Sequence, residues 1–134
     1  MRIMRNTGIV IPLEIKHIFN QLEINFSKRN KRQAWCDNLA KYLLKFEDEL
    51  EDQNAKYLLW FVSTLRDVFT YNYAKSITQE QLDLLRNGIE IIYKEKENCS
   101  KEAFEEYYGE LLETGIALLP TTQKAIDEFG EYNE

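Results

Sequence analysis

The chain of 134 residues holds only five glycines and two prolines. These residues punctuate turns, and so few of them exclude an architecture of many short strands joined by tight turns. Cysteine is scarce as well: Cys36 and Cys99 are far apart and form no CxxC pattern. A chain of this size buries a core without covalent staples, so both thiols are expected to be reduced, which fits the cytoplasm. There is one histidine, His17. Glu14-x-x-His17 has the spacing by which one helix offers two ligands to a carboxylate-bridged pair of metal ions, but that chemistry requires a second such pair. No metal and no cofactor is therefore expected. The glycines are scattered singly, which leaves no phosphate-cradling loop, and no G-x-S-x-G element is present. No apolar run approaches the length of about 18 residues that a membrane helix needs. The segment Gly8–Leu13, behind Arg2 and Arg5, is too short for the apolar part of a signal peptide and is followed at once by Glu14 and Lys16.

What the chain does have is helical periodicity, aromatic residues and unevenly distributed charge. The net charge is −6. Residues 1–45 hold nine Lys/Arg against three Asp/Glu, whereas residues 46–134 hold eight against twenty. This asymmetry describes either a basic binding region on an acidic body or helices of opposite sign lying against each other.

The segment Lys56–Tyr71 is the most apolar in the chain. Its Leu58, Phe61, Val62, Leu65, Val68 and Phe69 make one broad helical face, which Tyr57, Leu59 and Trp60 widen. Such a helix belongs in the middle of a bundle. Before it, Pro12 suits the first turn of a helix whose stripe is Ile15, Ile18, Phe19, Leu22 and Phe26. A second helix, started by an Asn30-x-x-Gln33 cap, carries Trp35, Leu39, Tyr42, Leu43, Phe46 and Leu50 inward. The acidic run Glu47–Asp52 falls at its C-terminal end, where negative charge is disfavoured; the helix frays there or a basic partner holds the carboxylates. Thr78 to Gln81 reads as a capping box for a fourth helix with the narrow seam Leu82, Leu85, Ile89 and Ile92. Gly88 inside it costs about 1 kcal/mol relative to Ala, which points to close approach of a neighbour. Ser100 caps a fifth helix with Phe104, Tyr108, Leu111 and Leu112 inward, weakened at Gly115 and ended by Pro120. A short sixth helix is expected around Ala125, Ile126 and Phe129, stopped by Gly130. The expected fold is a single all-α domain, a compact antiparallel bundle of five main helices and one short C-terminal helix. An N-terminal arm (1–11) and a mobile tail (131–134) flank it.

Three groups of residues bear on function. Lys28, Arg29, Lys31 and Arg32, next to Trp35, form a basic cluster able to neutralise a few phosphates of a nucleic acid. Glu102, Glu105 and Glu106 lead an acidic C-terminal surface that suits a basic protein partner, reached by electrostatic steering. Tyr71 and Tyr73, with Tyr57, Trp60, Tyr93 and Tyr107, lie off the cleanest inward stripes and could build a self-association surface; the narrow seam of the fourth helix could pair across a two-fold axis. The pairs Glu49-x-x-Asp52 and Glu102-x-x-Glu105 resemble the Mg²⁺-binding elements of all-α nucleotide pyrophosphohydrolases, although that family has its ExxE before its ExxD and this chain has the reverse. The resemblance implies a metal-dependent phosphohydrolase. Cys36 beside Trp35 reads as a small core residue. The leading expectation is a non-catalytic protein-interaction module, with a homodimer as one form of it, nucleic-acid binding through residues 28–32 second and the phosphohydrolase third.

Overall fold

The computed structural model describes residues 8–50, 55–71 and 76–116. Five α-helices pack against one another: α1 (Leu13–Ile24), α2 (Arg29–Leu50), α3 (Lys56–Tyr71), α4 (Gln79–Glu95) and α5 (Lys101–Glu113). A 3-10 turn, Lys96–Asn98, joins the last two. Among the described residues there is no strand, and no helix is long and apolar enough to cross a membrane. The expected sixth helix, the C-terminal tail and Pro120 lie outside the described residues.

The centre is α3, which packs against α2, α4, α5 and the 3-10 turn. Leu58, Phe61, Val62, Leu65, Val68 and Phe69 are all buried, as their spacing predicts. Each such side chain contributes about 1.5–3 kcal/mol through removal from water. Phe61 meets Phe104 of α5 edge-on at 5.3 Å, and Phe19 of α1 meets Phe69 at 6.4 Å. Buried residues from all five helices form one continuous apolar cluster.

Local signals in the chain set most helix ends. The Thr78 hydroxyl accepts from the Gln81 amide at 3.1 Å and the Gln81 side chain accepts from the Thr78 amide at 2.9 Å, completing the capping box. Ser100 Oγ accepts from the Ala103 amide at 3.1 Å and so caps α5. Other ends differ from the sequence reading. Helix α2 starts before Asn30, and the Lys28 carbonyl already accepts from the Arg32 amide at 2.8 Å. Arg29, Lys31 and Arg32 are good helix formers, and the Arg32 guanidinium lies over the Phe26 ring at 4.2 Å. Helix α5 ends at Glu113, not at Pro120, because Gly115 takes a φ of +83° that an L side chain rarely adopts. Pro12 stands just outside α1 as its N-cap. The described part of the expected N-terminal arm is packed down: Ile11 is buried, and the Ile9 amide donates to Glu97 at 3.2 Å.

Burial also corrects the inward stripes. In α2 the buried set is Cys36, Leu39, Leu43, Phe46 and Leu50; Trp35 is half-buried and Tyr42 is 38% exposed. These two aromatics are seven residues apart and therefore share one flank of the stripe. In α5, Tyr107 is buried and Leu112 is exposed, the reverse of expectation. Phe61, Trp60 and Phe104 form an aromatic cluster that draws Tyr107 inward: its ring lies 5.5 Å from Phe61. The α4 seam is used up by the chain's own core, since Leu82, Leu85, Ile89 and Ile92 are all buried, and so it is not available for two-fold pairing.

Candidate functional site

Four cross-helix contacts position the surface. Glu23 of α1 holds Arg86 of α4 at 2.5 Å. The Tyr93 hydroxyl donates to the Pro12 carbonyl and accepts from the Lys16 amide, which ties the start of α1 to the end of α4. Gln81 Nε2 donates to the Thr114 carbonyl at 3.0 Å, and the Tyr107 hydroxyl donates to the Leu84 carbonyl at 2.9 Å; these fix α5 on α4. Gly88 is explained here: a Cβ at this position would lie 2.2 Å from the Tyr107 hydroxyl oxygen.

Between α4 and α5 an open groove of about 400 Å³ is lined by Glu80, Asp83, Leu84, Asn87, Glu110, Glu113 and Thr114. Four of these are carboxylates, and among the described residues only Asp83 of the four has an ion pair, with Arg86 Nη2 at 3.0 Å. Glu102 and Glu106 precede Glu110 and Glu113 at helical spacing, so the groove continues into an acidic stripe along α5. The last turn of α5 contains no basic residue. Glu110 and Glu113 therefore add negative charge at the helix end where the backbone dipole is already negative. The sequence reading picked out Glu102, Glu105 and Glu106 from this surface, and all three are exposed. Glu105 is turned toward Lys101, at 3.9 Å. It missed Glu80 and Asp83, which only the packing of α4 on α5 brings to the groove; the 4, 4, 3 spacing from Glu102 to Glu113 was the readable signal.

Of the basic cluster, Lys28, Arg29 and Lys31 are exposed, and Arg32 is half-buried against Phe26. The exposed positive charge of α2 continues through Lys41 and Lys45. Of the aromatic set, Trp60 and Tyr107 are buried, and Tyr57 and Tyr93 are half-buried. Tyr57 meets Trp60 edge-on at 5.3 Å. Tyr71 is described only as the last residue of α3, and Tyr73 lies outside the described residues.

Glu49 is exposed near the end of α2, Asp52 lies outside the described residues, and Glu102 and Glu105 sit on α5. Among the described residues no group of three or more His, Cys, Asp or Glu is arranged to hold a metal ion. The acidic end of α2 is held in part as expected: Glu47 takes the Arg66 guanidinium of α3 at 2.5 Å, and Arg66 also reaches Asp67 at 3.0 Å. Burial works against the Arg66 charge, but the hydrogen bond to Glu47 and the attraction of the carboxylates around it raise the guanidinium above its ordinary value. Burial raises the Asp67 carboxyl, and Arg66 only partly counters it. Both cysteines are buried free thiols; burial, aided by Asp37, pushes Cys36 up to about 12, and burial, aided by Glu95, pushes Cys99 up to about 11. Neither is a thiolate near neutral pH, so neither is poised as a nucleophile. Comparison with protein-family models, with curated proteins and with solved structures finds no match to this chain.

Proposed function

We propose that this chain is a non-catalytic interaction module, a single antiparallel helical bundle whose acidic α4–α5 face captures a basic protein segment. The antiparallel arrangement is supported by paired positions that run in opposite senses: Pro12 with Tyr93 and Glu23 with Arg86, then Gln81 with Thr114 and Leu84 with Tyr107. The observation that carries the functional reading is the groove in which Glu80, Glu110 and Glu113 are exposed together beside the last turn of α5, a turn that holds no basic residue. Like charges held side by side raise the energy of the unbound surface, and a lysine- or arginine-rich partner relieves it. Leu84 in the groove wall offers a small apolar contact between the carboxylates. A cytoplasmic setting belongs to this reading and rests on the two unbridged cysteines.

The test is fluorescence anisotropy of a labelled Lys/Arg-rich peptide, with an acidic peptide as control. Affinity should fall steeply between about 0.05 M and about 0.5 M salt, because exposed charges are screened over that range. Glu110→Gln with Glu113→Gln should weaken it about tenfold, equivalent to about 1.4 kcal/mol. Equal binding of both peptides, or affinity indifferent to salt, would remove the proposal.

A second reading, nucleic-acid binding, draws on the exposed Lys28, Arg29 and Lys31 together with Lys41 and Lys45 of the same helix. It requires a labelled oligonucleotide to bind with a salt slope that shrinks on charge removal at these lysines; no oligonucleotide binding at low salt eliminates it.

A further inference from the structure

The outward side of α2 is the counterpart of the acidic groove. Lys31, Trp35, Asn38, Tyr42 and Lys45 follow one another at steps of four, three, four and three residues, so they form one stripe along the helix. Lys31, Asn38, Tyr42 and Lys45 are exposed, Trp35 is half-buried, and Lys41 stands exposed beside the stripe. Between Arg29 and Lys45 the only acidic residue is Asp37, whose carboxylate accepts from the Gln33 side chain at 2.8 Å. The stripe is thus a row of positive charges with two aromatic side chains between them, and partly exposed Trp and Tyr are the residues that most often anchor a protein contact. Lys31 to Lys45 spans about 21 Å of helix, and the carboxylate stripe of α5 from Glu102 to Glu113 spans about 17 Å, at 1.5 Å per residue. The two rows are comparable in length and opposite in sign.

Among the described residues no ion pair joins the two rows within one chain. Helix α2 packs on α1 and α3, whereas the groove is made by α4 and α5, which reach α3 on their own account. α3 stands between the two surfaces. Resting on the reading of the groove given above, we propose that the basic segment it captures is the outer face of α2 from a second copy of this chain. The contact is heterologous: each copy uses its groove on one neighbour and its α2 stripe on another, so association leaves one free surface at each end and grows with concentration.

Sedimentation velocity at low salt tests this on the whole chain. The wild type should sediment faster as its concentration rises and return to monomer at high salt. Glu110→Gln/Glu113→Gln and Lys41→Gln/Lys45→Gln should each raise the midpoint concentration about tenfold, so that each is mostly monomeric at the wild-type midpoint. All four residues are exposed, so helix content by circular dichroism should be unchanged in both variants. Mixing the two variants should restore association but stop it at a one-to-one dimer, because only one productive groove and one productive stripe remain. A wild type that stays monomeric at all concentrations overturns the proposal; if the Lys/Arg-rich peptide still binds and is lost in the Glu110/Glu113 variant, the groove reading survives and only the partner is wrong. If the peptide fails as well, both readings fall. Association that both variants retain at wild-type strength also overturns it, as does an oligonucleotide that binds the α2 stripe while the chain remains monomeric.

Discussion

Gly88→Ala isolates the contact that seats α5 on α4. The added Cβ would stand 2.2 Å from the Tyr107 hydroxyl oxygen, 2.6 Å from Cζ of that ring and 3.1 Å from Leu65 Cδ2. Tyr107 cannot easily move aside: it is 3% exposed, rests on Phe61 and donates its hydroxyl to the Leu84 carbonyl. Three effects compete. Alanine gains about 1 kcal/mol over glycine inside a helix. Overpacking a tight site costs about 1–3 kcal/mol. Displacing the ring strands a buried hydroxyl, at about 1–3 kcal/mol. The expected net is a loss of about 1–5 kcal/mol, seen in urea unfolding as a midpoint lowered by about 1 M with the slope unchanged. In Gly88→Ala/Tyr107→Phe the oxygen is gone but Cζ remains, so the double-mutant cycle should show partial recovery, with a coupling of about 0.5–3 kcal/mol. A Gly88→Ala protein as stable as wild type would refute the reasoning, because the helix-propensity gain would then be unopposed.

Other expectations follow from the same structure. Thr64 is fully buried and its hydroxyl has no hydrogen-bond partner among the described residues, so Thr64→Val should raise stability by about 1 kcal/mol in urea unfolding. Ser100→Ala removes the cap of α5 and should cost about 1 kcal/mol by the same measurement. Burial raises the Asp67 carboxyl above its ordinary 3.8, so the folded chain keeps this proton to higher pH than the unfolded chain does. Its stabilising contribution is complete below the unfolded value and is lost as pH rises through the folded one. Asp67→Asn should accordingly remove a negative component from the slope of unfolding free energy against pH in the window opening near 3.8; an unchanged slope contradicts this. Cys36 and Cys99 should resist a thiol reagent at mildly alkaline pH in the native protein and react together in denaturant.

The chain by itself determined what acts within a turn or two. The box at Thr78 and Gln81, the cap at Ser100 and the apolar face of α3 are local, because a side chain bonds or screens backbone a few residues away whatever the rest of the molecule does. Gly88 announced a close neighbour for the same reason, though not that the neighbour was Tyr107. Tertiary structure decided the margins of each stripe and everything that crosses between helices. Trp35 and Tyr42 of α2 and Tyr107 and Leu112 of α5 lie near the edges of apolar stripes, where a modest rotation of the helix about its axis exchanges burial for exposure. Helix rotation is set by how side chains of neighbouring helices interlock, and periodicity in one helix does not contain it. The same holds for charge. Glu80 and Asp83 share a groove with Glu110 and Glu113 although the two pairs are remote in the chain, and Glu47 finds Arg66 across α2 and α3. The excess of carboxylates in the C-terminal two-thirds was plain in the sequence, but the grouping of four of them in one groove exists only once α5 is seated on α4 by Tyr107 and Gln81.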